Sequence, residues 1–175
     1  YTSFSNYYFD HDFPCPTARP PLAQARTLVQ SLRLRDGIAA ETDAYVSRHF
    51  AGKHVIGVHY RGTDKIVDHG QRPVQIYVDA ARAVQRDNSW VYLASDTADV
   101  VNVFEAAFPG RVLSQDIRRA QSNSTTSLHR SGLGTVHSAM TDMLRLSRCN
   151  FLIKGRSSLS DVSLLISSGL QHMFV

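Results

Sequence analysis

The chain predicts an α/β fold built on a doubly wound parallel sheet, and three features of its sequence carry that expectation. Short apolar runs at residues 55–58, 90–94 and 150–153 have the length and β-branched or aromatic character of strands buried on both faces. Between them lie segments with helical apolar spacing at 75–86, 98–108 and 136–146, and a parallel crossover needs such a covering helix. Polar clusters follow the strands, most clearly His59, Arg61, Thr63, Asp64 and Lys65 after Val55, Ile56 and Val58. That is the carboxyl end, where open α/β sheets bind their ligands.

In chain order, residues 1–20 hold Phe4, Tyr7, Tyr8, Phe9, Phe13, Pro14, Pro16 and Pro20 without a period. They predict an extended arm that packs on the domain, 21–175, or on a neighbour. Residues 22–32 have helical spacing, and a second helix is expected over 38–50, with Ile38, Tyr45, Val46 and Phe50 toward the core. Ala51-Gly52-Lys53 ends it. The central strand then passes into a polar loop, Asp68-His69-Gly70-Gln71-Arg72-Pro73, before the helix at 75–86; such loops commonly carry function. Ser95-Asp96-Thr97 reads as a loop and helix cap, and Pro109-Gly110 stops the helix it opens. A short strand is expected at 111–113, then a long, polar, mobile loop over 114–133. Met140, Met143 and Leu144 share one face of the helix at 136–146. A helix at 160–167 and a strand at 172–175 complete the pattern, which contains no internal repeat.

Composition narrows the function classes. With 175 residues and 43% hydrophobic content the chain can bury one real core. Its net charge of +4 is scattered, with no basic stripe interleaved with aromatics, which argues against nucleic acid and for a local anionic ligand. No segment approaches the ~18 apolar residues of a membrane span, and none has the layout of a signal peptide. The chain begins without Met, as the interior of a larger protein would. Cys15 and Cys149 lack C-x-x-C spacing, which argues against zinc or redox chemistry. Cys149 is expected as a buried thiol, while Cys15, between two prolines, is placed to pair outside this segment. Asn123-Ser124-Thr125 would accept a glycan in a secretory protein.

Neither G-x-G-x-x-G nor G-x-x-x-x-G-K-[ST] is present, so dinucleotide chemistry and P-loop phosphoryl transfer lose support. Phosphate binding by side chains and a helix end remains. Arg61 offers a planar fork of donors and Lys65 a mobile point charge, a pair suited to a pyrophosphate. Ser157-Ser158-Leu159-Ser160, where a strand passes into a helix, offers free N–H groups beside hydroxyls. Each group also has a purely structural role open to it. Arg61 and Lys65 can pair with Asp64 and Asp68 at the surface, and His59 can be a core histidine. Asp96 and Ser157–Ser160 can be helix caps, and Asp142 can favour a helix dipole.

Taken together, His59-Tyr60-Arg61-Gly62-Thr63-Asp64-Lys65, V-Y-L-A-S-D at 91–96 with F-P at 108–109, T-D-M-L-R-L-S-R-C-N-F-L-I at 141–153 and Ser157-Ser158 resemble the GDP-fucose-dependent fucosyltransferases. The likeness is to the core α1,6-fucosyltransferases and their bacterial and nodulation relatives, over roughly residues 36–168 and three ordered motifs. It implies a GT-B enzyme of two Rossmann-like halves, of which this chain resembles the C-terminal, donor-binding half. It further implies that His59 and Arg61 contact the pyrophosphate, Lys65 and Ser158 the β-phosphate, with Ser157 beside it, and Asp142 the guanine. Asp64 and Asp96 match motif acids and are expected to orient the cations and the loop. No metal or other cofactor is implied; GDP-fucose is the donor substrate. Two positions depart from the family. Gly62 stands where the core α1,6 enzymes have a second arginine, and the glutamate expected shortly after the motif lysine is missing. Asp68 or His69 is left to take the acceptor proton.

Three functions from different classes are therefore expected to compete. One is a donor half that transfers fucose, with inversion, to a glycan or protein hydroxyl together with an acceptor-binding half preceding Tyr1. Another is a non-catalytic module that binds nucleotide sugar or glycan. The last is an interaction domain docking a partner through residues 1–20 and 114–133. A bacterial origin would imply the cytoplasm, a eukaryotic secretory one the Golgi lumen.

Overall fold

A computed structural model describes residues 22–32, 36–62, 72–117, 119–120 and 133–175. These form α1 (Leu22–Ser31), α2 (Asp36–His49), β1 (His54–Tyr60), α3 (Val74–Ala83), β2 (Ser89–Ser95), α4 (Ala98–Ala107), β3 (Val112–Ser114), α5 (Leu133–Ser147), β4 (Phe151–Lys154), α6 (Ser158–Ile166) and β5 (Gln171–Phe174). All four strand pairings are parallel, in the order β3-β2-β1-β4-β5. The expected α/β, doubly wound parallel sheet is what the chain forms.

That order fixes where a ligand would go. From β1 the chain winds outward through β2 and β3, then returns across β1 to β4 and β5 on the other side. The switch point therefore lies between β1 and β4, and the crevice outside their carboxyl ends is the favoured binding position in such sheets.

Two cores hold helices on the two faces of the sheet. On one face Ile56, Val58, Tyr60, Val91, Leu93 and Ile153 pack under α3 and α4, with Tyr77, Val78, Phe104 and Phe108 descending from the helices. On the other, Val55, Tyr92, Ala94 and Leu152 meet Phe50 beyond α2, Leu146 of α5 and Leu164 of α6. Tyr45, Phe50 and Tyr92 form an edge-to-face cluster with centroids 5.7–6.1 Å apart, a favoured aromatic geometry. Outside these layers, α1 lies against α6, where Gln30 Nε2 donates to Ile166 O at 3.3 Å.

Gly57 permits the closest approach of a helix end to the sheet. A Cβ there would sit 2.9 Å from Cys149 Sγ and 3.0 Å from Leu146 Cδ2. Cys149 is buried, as expected, and burial pushes its thiol well above the usual range. Gly57→Ala is expected to destabilise the fold by roughly 1–3 kcal/mol through overpacking. The additional change Cys149→Ala should recover part of that loss in urea unfolding, because it removes the atom the methyl group meets.

Several boundaries differ from the sequence expectation for local reasons. The third helix ends at Ala83 rather than 86 because the Arg86 N–H is taken by Ser89 Oγ at 2.7 Å, turning the chain into β2. Helix α5 opens at Leu133, three residues early, through Gly134, a weak helix former that hides the start. The segment expected as loop is not plain loop at Ala120, which is buried and bridges Thr97 in parallel register. Helix α6 starts at Ser158, within a hydroxyl run that masks its boundary. The arm at 1–20, Cys15 and the sequon at Asn123 lie outside the described residues.

Candidate functional site

Because every strand runs the same way, the residues that follow them gather on one edge. Arg61 and Gly62 follow β1, Asp96 follows β2, and Arg156 and Ser157 follow β4. Four of the expected site residues, Arg61, Asp96, Ser157 and Ser158, are thus assembled at the carboxyl edge. His59 lies one step earlier, inside β1, level with Ala94 of β2 and Lys154 of β4. Since Ala94 belongs to the core under α5 and α6, the in-register His59 ring lies on that face, and it is buried.

The turn after β1 is held from β2. Asp96 Oδ1 accepts the Gly62 N–H at 2.8 Å and the Thr97 hydroxyl at 3.0 Å. Thr97, not Asp96, is the N-cap residue of α4. The carboxylate therefore ties the end of one strand to the residue after Arg61. Gly62 is buried, and a Cβ there would overlap Thr97 Oγ1 and lie 2.9 Å from Tyr60 Cε1. No side chain fits at that position without displacing Thr97, which accounts for the glycine there.

The end of β4 is pinned as firmly. Lys154 and Asp161, both buried, form an ion pair from the last residue of the strand to the first turn of α6. The Lys154 ammonium also lies 5.4 Å from the Phe174 ring centroid of β5. Tyr77 wedges against this edge from the opposite face: its ring meets Tyr60 edge-to-face at 5.0 Å, and its hydroxyl occupies the space a Gly155 side chain would need. Burial pushes the Tyr77 hydroxyl up to about 12. Between these anchors Ser157, the N-cap residue of α6, is 4% exposed, and its Oγ has no hydrogen-bond partner among the described residues. A buried hydroxyl of that kind costs free energy unless something else satisfies it.

Asp142 departs from its expected setting. It is neither at a helix start nor at the strand-to-loop edge but in the interior of α5, and it is buried. Its Oδ1 accepts the Tyr92 hydroxyl of β2 at 2.6 Å. Burial raises the Asp142 carboxyl above the ordinary 3.8, against the lowering effect of hydrogen bonds from Tyr92 and Gln115 and of the charges on Arg145 and Arg119. A carboxylate with its lone pairs only partly used can still accept donors from a ligand.

The sequence did not single out the residues that support these groups. Arg119 spans the ends of β2 and β3, donating to Ser95 O, Ile117 O and Gln115 O at 3.2, 3.4 and 2.5 Å. Arg145 lies 3.6 Å above the Tyr45 ring and bonds Glu41 at 3.1 Å, fastening α5 to α2. Lys154, Asp161 and Tyr92 read as ordinary strand or helix residues until the sheet brings them together. Asp64, Lys65, Asp68 and His69 lie outside the described residues.

The nodulation protein Z (NodZ) family model matches residues 21–166. Among solved structures, a NodZ α1,6-fucosyltransferase soaked with GDP-fucose shares 26% identity and a TM-score of 0.62, over 84% of this chain and 47% of that one. The fucosyltransferase NodZ from Bradyrhizobium shares 25% identity and a TM-score of 0.58, over 83% and 46%. The apo form of POFUT1, at 12% identity, shares the fold with a TM-score of 0.56, over 87% and 49%. The chain spans about half the length of these solved relatives. No curated protein matches it by sequence alone.

Proposed function

The chain belongs to the nodulation protein Z family, and from that premise we propose that it is the donor-binding half of a fucosyltransferase that holds GDP-fucose in the β1–β4 crevice. The observation that carries this is the buried Ser157 hydroxyl at the start of α6, without a hydrogen-bond partner among the described residues, across the switch point from the end of β1 that Arg61 follows. A guanidinium and the N-terminus of a nine-residue helix then face one anion. NodZ structures obtained with GDP-fucose and with GDP support the same ligand class.

In this proposal Arg61, Lys65, Ser157 and Ser158 hold the pyrophosphate, His59 lines its approach, and Asp142 accepts N1–H and N2–H of guanine. Asp64 and Asp96 orient the cations and the turn. Transfer is a single displacement with inversion. Asp68 or His69 takes the proton of an acceptor hydroxyl, the oxygen forms a bond to the anomeric carbon, and the bond to the β-phosphate oxygen breaks, with its electrons leaving on GDP. Negative charge grows on the pyrophosphate in the transition state, so fixed cations there stabilise it more than the ground state, without a metal. The acceptor, a glycan or a protein hydroxyl, is held by a second, N-terminal half.

Residues 21–175 make up the donor domain, with 1–20 an arm that packs on it or on the acceptor half. No described helix is long and apolar enough to cross a membrane. The compartment follows the source, the cytoplasm for a bacterial protein and the Golgi lumen for a eukaryotic secretory one.

Calorimetry with GDP, GDP-fucose, GDP-mannose and UDP tests the proposal: GDP and its fucosyl ester should bind and UDP should bind more weakly. Binding of none would leave an interaction domain instead. Donor hydrolysis or transfer that disappears in Asp68→Asn would mark an enzyme rather than a binding module.

A further inference from the structure

We propose that Arg156 is a further cation of the diphosphate site, gripping the ligand from the β4 side of the crevice while Arg61 grips it from the β1 side. This rests on the donor-site proposal and extends it to a residue that neither the motifs nor the family match assigns. The register carries it. Strands β1 and β4 pair in parallel from Ile56 with Phe151 to His59 with Lys154, so the same register continued by two residues sets Arg61 beside Arg156. Adjacent strands are ~4.8 Å apart, a separation that two arginine forks can close onto the two phosphoryl groups of one diphosphate.

The turn that carries Arg156 is built to hold still. On one side the buried Lys154–Asp161 pair locks the strand end to α6. On the other, the Tyr77 hydroxyl fills the space beside Gly155 while its ring packs on Tyr60, the residue directly before Arg61. Within that turn Lys154 and Ser157 are buried and Arg156 alone is exposed, at the mouth of the crevice and directly before the unpartnered Ser157 hydroxyl. The β1 side has no room for another cation at its next position, because Gly62 is closed off by Thr97. Arg156 therefore adds a charge from across the switch point, on the side away from the β1 end that Arg61 and Lys65 follow in sequence.

The test is calorimetry of the whole chain and its Arg156→Ala and Arg156→Lys variants with GDP and with guanosine. Arg156→Ala should weaken GDP by about 10- to 100-fold, the scale of a lost charge-assisted hydrogen bond. Guanosine, which lacks phosphate, should be unaffected, and Arg156→Lys should restore part of the loss. If the native chain binds GDP and Arg156→Ala binds it equally, or if guanosine weakens as much as GDP, this role is overturned while donor binding stands. If the native chain binds no GDP, the donor site itself falls and this role with it.

Discussion

Lys154→Ala should destabilise the fold by about 3–5 kcal/mol, the scale measured when one partner of a buried ion pair is removed and the other charge is left behind. Lys154 and Asp161 lie in the second core layer, one at the end of β4 and one in the first turn of α6, and both are largely removed from water. The loss should appear as a lower urea midpoint with little change in slope, since the surface exposed on unfolding is nearly unchanged. The double variant Lys154→Met, Asp161→Leu separates charge from shape. Well-packed apolar residues in place of a buried pair are commonly neutral or stabilising, so the double variant should recover most of the stability. If the pair also sets the Gly155–Ser157 turn, the double variant should remain stable yet bind GDP more weakly.

Asp142→Asn should remove the preference for guanine while leaving binding to the diphosphate. The native carboxylate presents only acceptors to N1–H and N2–H, whereas an amide must present at least one donor. Base discrimination of this kind is worth about 1–3 kcal/mol, so GDP should lose roughly 5- to 150-fold against a pyrimidine diphosphate. The same substitution changes the pH profile. Burial raises the Asp142 carboxyl in the folded chain above its unfolded 3.8. Between those two values the folded state binds more protons than the unfolded state. Stability therefore falls as pH rises from 3.8 through the raised value and is level above it. Asp142→Asn should flatten that segment in thermal melts. Guanine recognition by the native chain needs the ionised form, so its acid limit should lie above that of an ordinary carboxylate.

How much of this could be read in the residues follows from what each depends on. Strand β1 and its neighbours announce themselves because burial on both faces demands short apolar runs, and alternation with helical periods leaves a parallel sheet as the economical arrangement. The edge residues Arg61, Asp96, Ser157 and Ser158 were legible for the same reason: each directly follows a strand or opens a helix. Asp142 lies inside α5 and is buried against Tyr92 of β2, a contact made by the helix packing on the sheet that leaves no local pattern in the chain. Lys154 and Asp161 carried no local signal. A lysine closing a strand and an aspartate in a helix's first turn are ordinary surface residues in one dimension, and only the β4–α6 packing buries them together. The closure of Gly62 by Thr97 depends likewise on two strand ends meeting, a tertiary fact with no pattern in the chain.

The most direct test of the central claim is a calorimetric titration of the native chain and of Arg61→Ala with GDP. A donor site in the β1–β4 crevice predicts saturable binding by the native chain and a loss of about 10- to 100-fold or more in the variant, as expected for removing a guanidinium that pairs with phosphate. Equal GDP affinity in both proteins, or no binding by the native chain, would contradict it.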